Sequence, residues 1–130
     1  MTISQKTILA KLRKICLKLP DAKETYIWGH PHFRVRGKIF LSFTEYKGEW
    51  GLSLKVGRLM QGIFLNDPRF IRAPYVGRYG WVMLRIEAAP LNWTEIPALV
   101  RGSYQLVAAG ALKKPRRKKR PRTNKRTRGI

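Results

Sequence analysis

The last 18 residues constrain the fold of this chain more than any other stretch. Residues 113–130 read KKPRRKKRPRTNKRTRGI and contain 11 basic residues, no acidic residue and one apolar residue, Ile130. A segment of this composition cannot bury enough apolar surface to offset the entropy lost on ordering. Its like charges and two prolines also oppose a helix. We therefore predict a disordered basic tail over 113–130 and one folded domain over 1–112.

The net charge of the whole chain is +21, from 28 basic and 7 acidic residues. Removing the 11 basic residues of the tail leaves 17 basic and 7 acidic residues, so the domain itself carries +10. Such a surplus favours a polyanionic partner, nucleic acid before an anionic membrane surface. The chain lacks an uncharged apolar stretch long enough to span a bilayer, so we predict no membrane segment. The single cysteine, Cys16, cannot form an internal disulfide, which favours a reducing, cytoplasmic location.

Hydrophobic periodicity predicts the elements of the domain. Residues 5–19 carry apolar side chains at helical spacing, and Thr2 with Gln5 could form a capping box at the start of that helix. A last helix is predicted over about 95–109, with Thr94 as its N-cap. Between them we predict strands at 25–28, 32–36, 38–44, 50–56 and 81–87 and a short helix at 58–65. This order favours an α+β domain with a mainly antiparallel sheet packed by N- and C-terminal helices.

The stretch WGHPHFRVRGKIF, residues 28–40, predicts a tight hairpin around Gly37. A three-residue loop is favoured because it separates apolar from polar side chains better than a two-residue loop. In that register, one face would carry Phe33, Val35, Ile39 and Leu41, and the other His32, Arg34 and Phe40.

Several kinds of reaction centre lack a sequence signal. His30 and His32 are separated by Pro31, and the chain has no second pair of His or Cys ligands, so structural histidines are favoured over a metal site. Ser53 and Ser103 have no recognisable histidine and acid relay, and the chain contains no glycine-rich phosphate loop. We predict no catalytic residues, no cofactor and no metal, so the protein is expected not to be an enzyme.

Two basic clusters are candidate phosphate contacts. The hairpin register would place its basic side chains, with Lys55, on or near the solvent face of one sheet. The loop IRAPYVGRYGW interleaves arginines with Tyr75, Tyr79 and Trp81, which suits phosphate contact with stacking, although Tyr75 and Trp81 could equally fill the core. The alternative for the sheet face is an ordinary solvated surface. The predicted nucleic-acid-binding residues are Arg34, Arg36, Lys38, Lys55, Arg72, Arg78, Lys113, Lys114, Arg116, Arg117, Lys118, Lys119, Arg120, Arg122, Lys125, Arg126 and Arg128.

Four segments in order, WGHPHFRVRGKIF, LSLKV, APYVGRYGWVML and SYQLVA, resemble the MmcQ/YjbR-like family over roughly residues 5–112. The resemblance implies a compact α+β domain of the CyaY-like kind, similar to double-wing DNA-binding modules, and it implies DNA binding without agreed catalytic residues. Two departures stand out: VGRLMQGIF is less acidic than the family pattern, and the basic tail is longer. The CyaY-like fold includes iron-binding frataxins, but those depend on acidic surfaces, so iron is not expected here.

These observations favour a non-enzymatic DNA-binding protein with little sequence preference, which binds through a basic sheet face and the basic tail. A monomer is the default expectation, in the cytoplasm, and on the nucleoid if the source is bacterial. One alternative is an RNA- or ribosome-associated factor, since the same charge serves both partners. Another is a small-ligand-binding or enzymatic domain with a pocket near His30, Tyr75 and Arg78.

Overall fold

The computed structural model describes residues 1–118, with side chains described through Ala111. Three helices and six strands, one strand more than predicted, follow one another in the predicted α+β arrangement. Their bounds are α1 Ile3–Cys16, β1 Ala22–Ile27, β2 His30–Val35, β3 Lys38–Tyr46, β4 Glu49–Lys55, α2 Arg58–Leu65, β5 Phe70–Arg72, a short 3-10 helix Gly77–Tyr79, β6 Trp81–Arg85 and α3 Ile96–Lys118.

The six strands form one sheet in the order β1-β2-β3-β4-β6-β5, and every neighbouring pair is antiparallel. Side chains alternate between the two faces of a strand, so the cross-strand pairs assign residues to faces. One face carries Phe33, Leu41 and Leu54 and is fully buried in the core with residues of α1 and α3. The predicted antiparallel sheet with helices from both ends of the domain is therefore confirmed.

Helix α1 begins with the predicted capping box. The Thr2 hydroxyl accepts from the Gln5 N–H, and the Gln5 side chain accepts from the Thr2 N–H. The helix ends at Cys16, three residues before the predicted end, because the chain turns through Leu19 ahead of Pro20. Burial raises the pKa of the Cys16 thiol to about 12, so this cysteine packs as a small hydrophobe.

The predicted three-residue loop of the β2–β3 hairpin is wrong. Val35 pairs with Lys38, so the loop contains two residues, Arg36 and Gly37, both with left-handed φ (52° and 80°), as a type I′ turn requires. The register then shifts between Phe33 and Arg34, where a β-bulge places one extra residue in β3. This bulge lets Phe33 and Leu41 share the core face while the short loop is kept.

Other differences from the sequence prediction lie at element ends. Strand β5 and the 3-10 helix fall in the predicted loop, where each is too short to show periodicity. The Asn92 side chain, not Thr94, accepts the N–H groups of Thr94 and Glu95 before α3. Helix α3 continues to Lys118 rather than ending near residue 109, so it extends six residues into the predicted tail, and residues 119–130 lie outside the described part of the chain.

Ser103 joins α3 to the sheet from a fully buried position. Its hydroxyl accepts from the Lys55 N–H (2.9 Å) and donates to the Phe40 carbonyl oxygen (2.6 Å). Ser103→Ala should lower the free energy of unfolding by about 2–3 kcal/mol, because it leaves two buried backbone groups without a partner. Urea unfolding measures the change. Gln105→Ala, at an exposed position of the same helix, should alter stability by less than about 0.5 kcal/mol, and equal effects of the two substitutions would contradict this role.

Candidate nucleic-acid interface

The strand register separates the charges of the domain between two ends of the sheet. The β2–β3 turn, the end of β4 and the start of β6 meet at one end, because Val35 pairs with Lys38 and Lys55 pairs with Trp81. We call the exposed or half-buried cations there the basic end; they are Arg36, Lys38, Lys55, Arg58 and Arg78. Five of the seven acidic residues lie toward the opposite end, namely Glu45, Glu49, Asp67, Glu87 and Glu95.

Arg58 and Arg78 reach the basic end through a contact between two loops. The Gly80 carbonyl oxygen accepts from the N–H groups of Val56 and Gly57, which brings the start of α2 against the 3-10 helix. The Arg58 guanidinium donates to the Arg78 carbonyl oxygen (3.2 Å). Sequence reasoning missed Arg58, since only this contact, between residues twenty positions apart, brings it beside the predicted Arg78.

The guanidinium of Arg78 lies 4.9 Å from the centre of the Tyr79 ring and donates to its hydroxyl at 2.8 Å. The two side chains form an exposed cation–π pair. This pair keeps a full positive charge at the surface and presents a flat guanidinium to solvent.

Two predicted contacts, Arg34 and Arg72, are partly engaged within the domain. Arg34 donates to the Thr25 hydroxyl and to the Gly37 carbonyl oxygen, both at 3.0 Å, and so braces β1 against the hairpin. Arg72 donates to the buried side chain of Gln61 at 3.2 Å. These two arginines therefore lie near the basic end, but their guanidinium groups already make hydrogen bonds within the domain.

Helix α3 runs toward the basic end. Arg69 holds Glu95, just before the helix, at the acidic side of the sheet, whereas Ser103 bonds Phe40 and Lys55 at the basic side. Beyond Ser103 the helix continues for about 22 Å to Lys118. The backbone of this extension carries the predicted contacts Lys113, Lys114, Arg116, Arg117 and Lys118. The remaining predicted contacts, Lys119, Arg120, Arg122, Lys125, Arg126 and Arg128, lie outside the described residues.

The acidic residues are largely neutralised at their own end. Arg69 pairs with Asp67 (2.7 Å) and Glu95 (2.9 Å), and hydrogen bonds from its guanidinium and backbone N–H lower the pKa of Asp67. Arg85 pairs with Glu49 at 2.9 Å and lowers the pKa of that carboxyl. Within the part of the chain whose side chains are described, no salt bridge involves a basic-end residue. The positive charge there is therefore available to a partner.

The sheet face that points away from α1 and α3 holds a pocket of about 450 Å³. Its floor carries a polar row on three adjacent strands, because His32 pairs with Ser42 and Ser42 pairs with Ser53. The segment around Pro74 forms a wall. His30 and Tyr75 line the pocket, as the small-ligand alternative predicted, whereas Arg78 does not. No group of three or more His, Cys, Asp or Glu side chains suited to a metal is found within residues 1–118.

His32 is nearly buried in this floor, and its Nδ1 lies 2.7 Å from the Ser42 hydroxyl oxygen. Burial is the main reason that the pKa of His32 lies below its ordinary value of 6.5, and the charges of Arg34 and His30 act in the same direction. The imidazole is therefore neutral in the folded protein near pH 7. A neutral ring keeps one nitrogen as an acceptor and one as a donor.

The lowered pKa of His32 makes stability depend on pH. Because the unfolded chain binds a proton more readily at this site, the free energy of unfolding should fall as the pH drops below about 6.5. Protonation of this one group can lower the free energy of unfolding by up to about 1.4 kcal/mol per pH unit. His32→Gln should remove this contribution to the pH dependence. Urea unfolding of both proteins between about pH 7 and about pH 5 provides the comparison. Parallel pH profiles would contradict a destabilising protonation of His32.

Comparisons with known proteins agree with this architecture. Among solved structures, the chain is similar to a crystal structure of a protein from Pseudomonas syringae, a Northeast Structural Genomics Consortium target, with 20% identity, a TM-score of 0.59, and coverage of 82% of this chain and 99% of that chain. At that identity the likeness supports the fold alone. No curated protein matches this chain. In the described residues, no helix has the length and apolar character needed to cross a membrane. A family model described as YjbR matches residues 17–106, and the chain therefore belongs to the YjbR family, as its sequence motifs predict.

Proposed function

We propose that this protein binds nucleic acid without strong sequence preference, and DNA before RNA, through the basic end and the basic C-terminal segment 113–130. The binding is electrostatic and needs no catalytic residue. A cytoplasmic location, on the nucleoid in a bacterium, fits a protein that meets DNA in this way. Phosphate contacts of this kind position a protein on a duplex but carry no sequence information.

The observation that carries the proposal is the concentration of unpaired cations at one end of the sheet. Five cations from four different segments converge there, while three acidic residues at the other end, Glu49, Asp67 and Glu95, are paired with Arg69 or Arg85. Helix α3 leaves from this same end, and residues 113–130, which include its last six residues, contain 11 basic residues and no acid. Both positive regions suit contact with a phosphate backbone.

A charge-neutralising variant tests the basic end. Arg36→Gln, Lys38→Gln and Lys55→Gln in one protein should make the slope of log affinity for a short DNA duplex against log salt shallower by about 2.7, if each side chain neutralises one phosphate. A matched control, with Lys6→Gln, Lys14→Gln and Lys47→Gln, removes the same net charge from α1 and the β3–β4 turn. It should leave the slope nearly unchanged.

Equal slopes for the two triple variants would show that the position of the charge is irrelevant and would refute a defined interface. The same titration with duplex RNA and with single strands decides between the DNA proposal and the RNA alternative. Preferential binding of duplex RNA would reverse the order that we propose.

A further inference from the structure

The pocket on the sheet face has a feature that the charge-based function does not use. Two large aromatic side chains at its rim are almost fully exposed, Trp28 at 95% and Tyr75 at 91%. Both have left-handed backbone conformations, with φ of 52° and 69°. Bulky residues rarely adopt this conformation, and residues held in it are concentrated at functional sites. The chain thus holds two flat rings in solvent beside a cavity.

The interior of the pocket is mostly apolar, with a few polar groups on its floor. Of its lining residues, none is Lys or Arg, in a chain with a net charge of +21, and the single acid is Glu45 at an exposed position. A phosphate or carboxylate group would find no Lys or Arg inside. The pocket is therefore suited to a neutral group.

The floor offers hydrogen-bonding groups in one row. Neutral His32 keeps one ring nitrogen beyond its contact with Ser42. Ser53, only 7% exposed, lines the pocket, and its hydroxyl makes no hydrogen bond within the described part of the chain. A buried hydroxyl without a partner loses free energy unless a ligand or water satisfies it. A ligand with donors and acceptors on its edge would satisfy this row.

We propose that the pocket binds a planar, neutral nitrogen heteroaromatic ring of the nucleobase type, with Trp28 and Tyr75 stacking on it and the polar row contacting its edge. Such a ring combines a flat apolar face with donors and acceptors in its plane, which matches the rim and the floor. The source of the ring is either an unpaired base of a nucleic-acid strand or a free nucleoside. Binding of an unpaired base in a strand rests on the proposed function, whereas binding of a free nucleoside does not.

Two oligonucleotides of equal length test the binding of an unpaired base. One is single-stranded DNA with bases, and the other is an abasic strand with the same phosphates. Fluorescence anisotropy should show about tenfold or more tighter binding of the strand with bases. The double variant Trp28→Ala and Tyr75→Ala should abolish this difference and keep the salt dependence. Leu59→Ala, at an equally exposed position (94%) outside the pocket, is the control and should preserve the difference.

Free nucleosides test the ring site directly. In NMR spectra of the full chain, adenosine, guanosine, cytidine or thymidine should shift the indole N–H signals of Trp28 and of Trp81, which lies in the pocket wall. If nucleosides shift these signals but no strand binds, the ring site stands and the proposed nucleic-acid function fails. If strands bind equally with and without bases and no nucleoside shifts either signal, the ring site is refuted and the charge-based function stands.

Discussion

Deleting residues 113–130 should make DNA binding less sensitive to salt. The slope of log affinity against log salt should become shallower by about 7. The deleted segment carries 11 basic residues, and we assume that about eight of them neutralise phosphates. Each neutralised phosphate releases a counterion, so the number of contacts sets the slope. Anisotropy titrations with a short duplex between about 50 mM and about 200 mM salt measure the slopes of the full and shortened chains.

The deletion should leave the fold intact, because the last buried residue described in α3 is Val107. Circular dichroism and urea unfolding of the shortened chain check this. A better control replaces the 11 basic residues with glutamine at full length, which keeps the chain length and removes only the charge. An unchanged slope in this glutamine variant would refute a role for the tail in binding.

Gly80→Ala should lower the free energy of unfolding by about 3 kcal/mol or more, the largest stability effect that we expect from one small substitution. Gly80 has φ +87°, and a Cβ there would lie 2.6 Å from the Gly57 carbonyl carbon and 2.8 Å from the Arg58 nitrogen. All these neighbours are backbone atoms, so the loops must separate. The same separation would displace Arg58 and Arg78, so DNA affinity should also fall.

Gly62→Ala provides the matched control for Gly80→Ala. Gly62 lies inside α2, and nothing stands within 4 Å of a Cβ added there. Alanine should stabilise the helix by about 0.5–1 kcal/mol. Thermal and urea unfolding compare the two variants with the native chain. A mild effect of Gly80→Ala, close to that of an ordinary surface substitution, would contradict the close approach of the two loops.

The local pattern of the sequence was sufficient for most of the fold. Helix α2 occupies the predicted residues 58–65, and β4 covers all but the last residue of the predicted strand 50–56. The β2–β3 hairpin shows where such reasoning fails. Its bulge depends on packing Phe33 and Leu41 against the helices, a long-range requirement that alternation within one hairpin does not contain.

The candidate sites were less predictable than the fold because each joins distant segments. Arg36 lies in the β2–β3 turn and Lys38 directly follows it, so the sequence alone placed them together. Arg58 and Arg78 meet only through the contact of Gly57 with Gly80. In the same way, the polar floor of the pocket is formed by side chains that the pairing of three strands brings side by side. No single segment of the sequence shows this arrangement.

The most direct test of the central claim is the affinity of the full, unmodified chain for a DNA duplex as a function of salt. The account predicts a linear fall of log affinity with log salt, with a slope of about −7 or steeper, and binding that differs little between unrelated duplex sequences. A chain that ignores DNA at physiological salt, or that binds it with an affinity independent of salt, would contradict the claim that surplus positive charge carries the function.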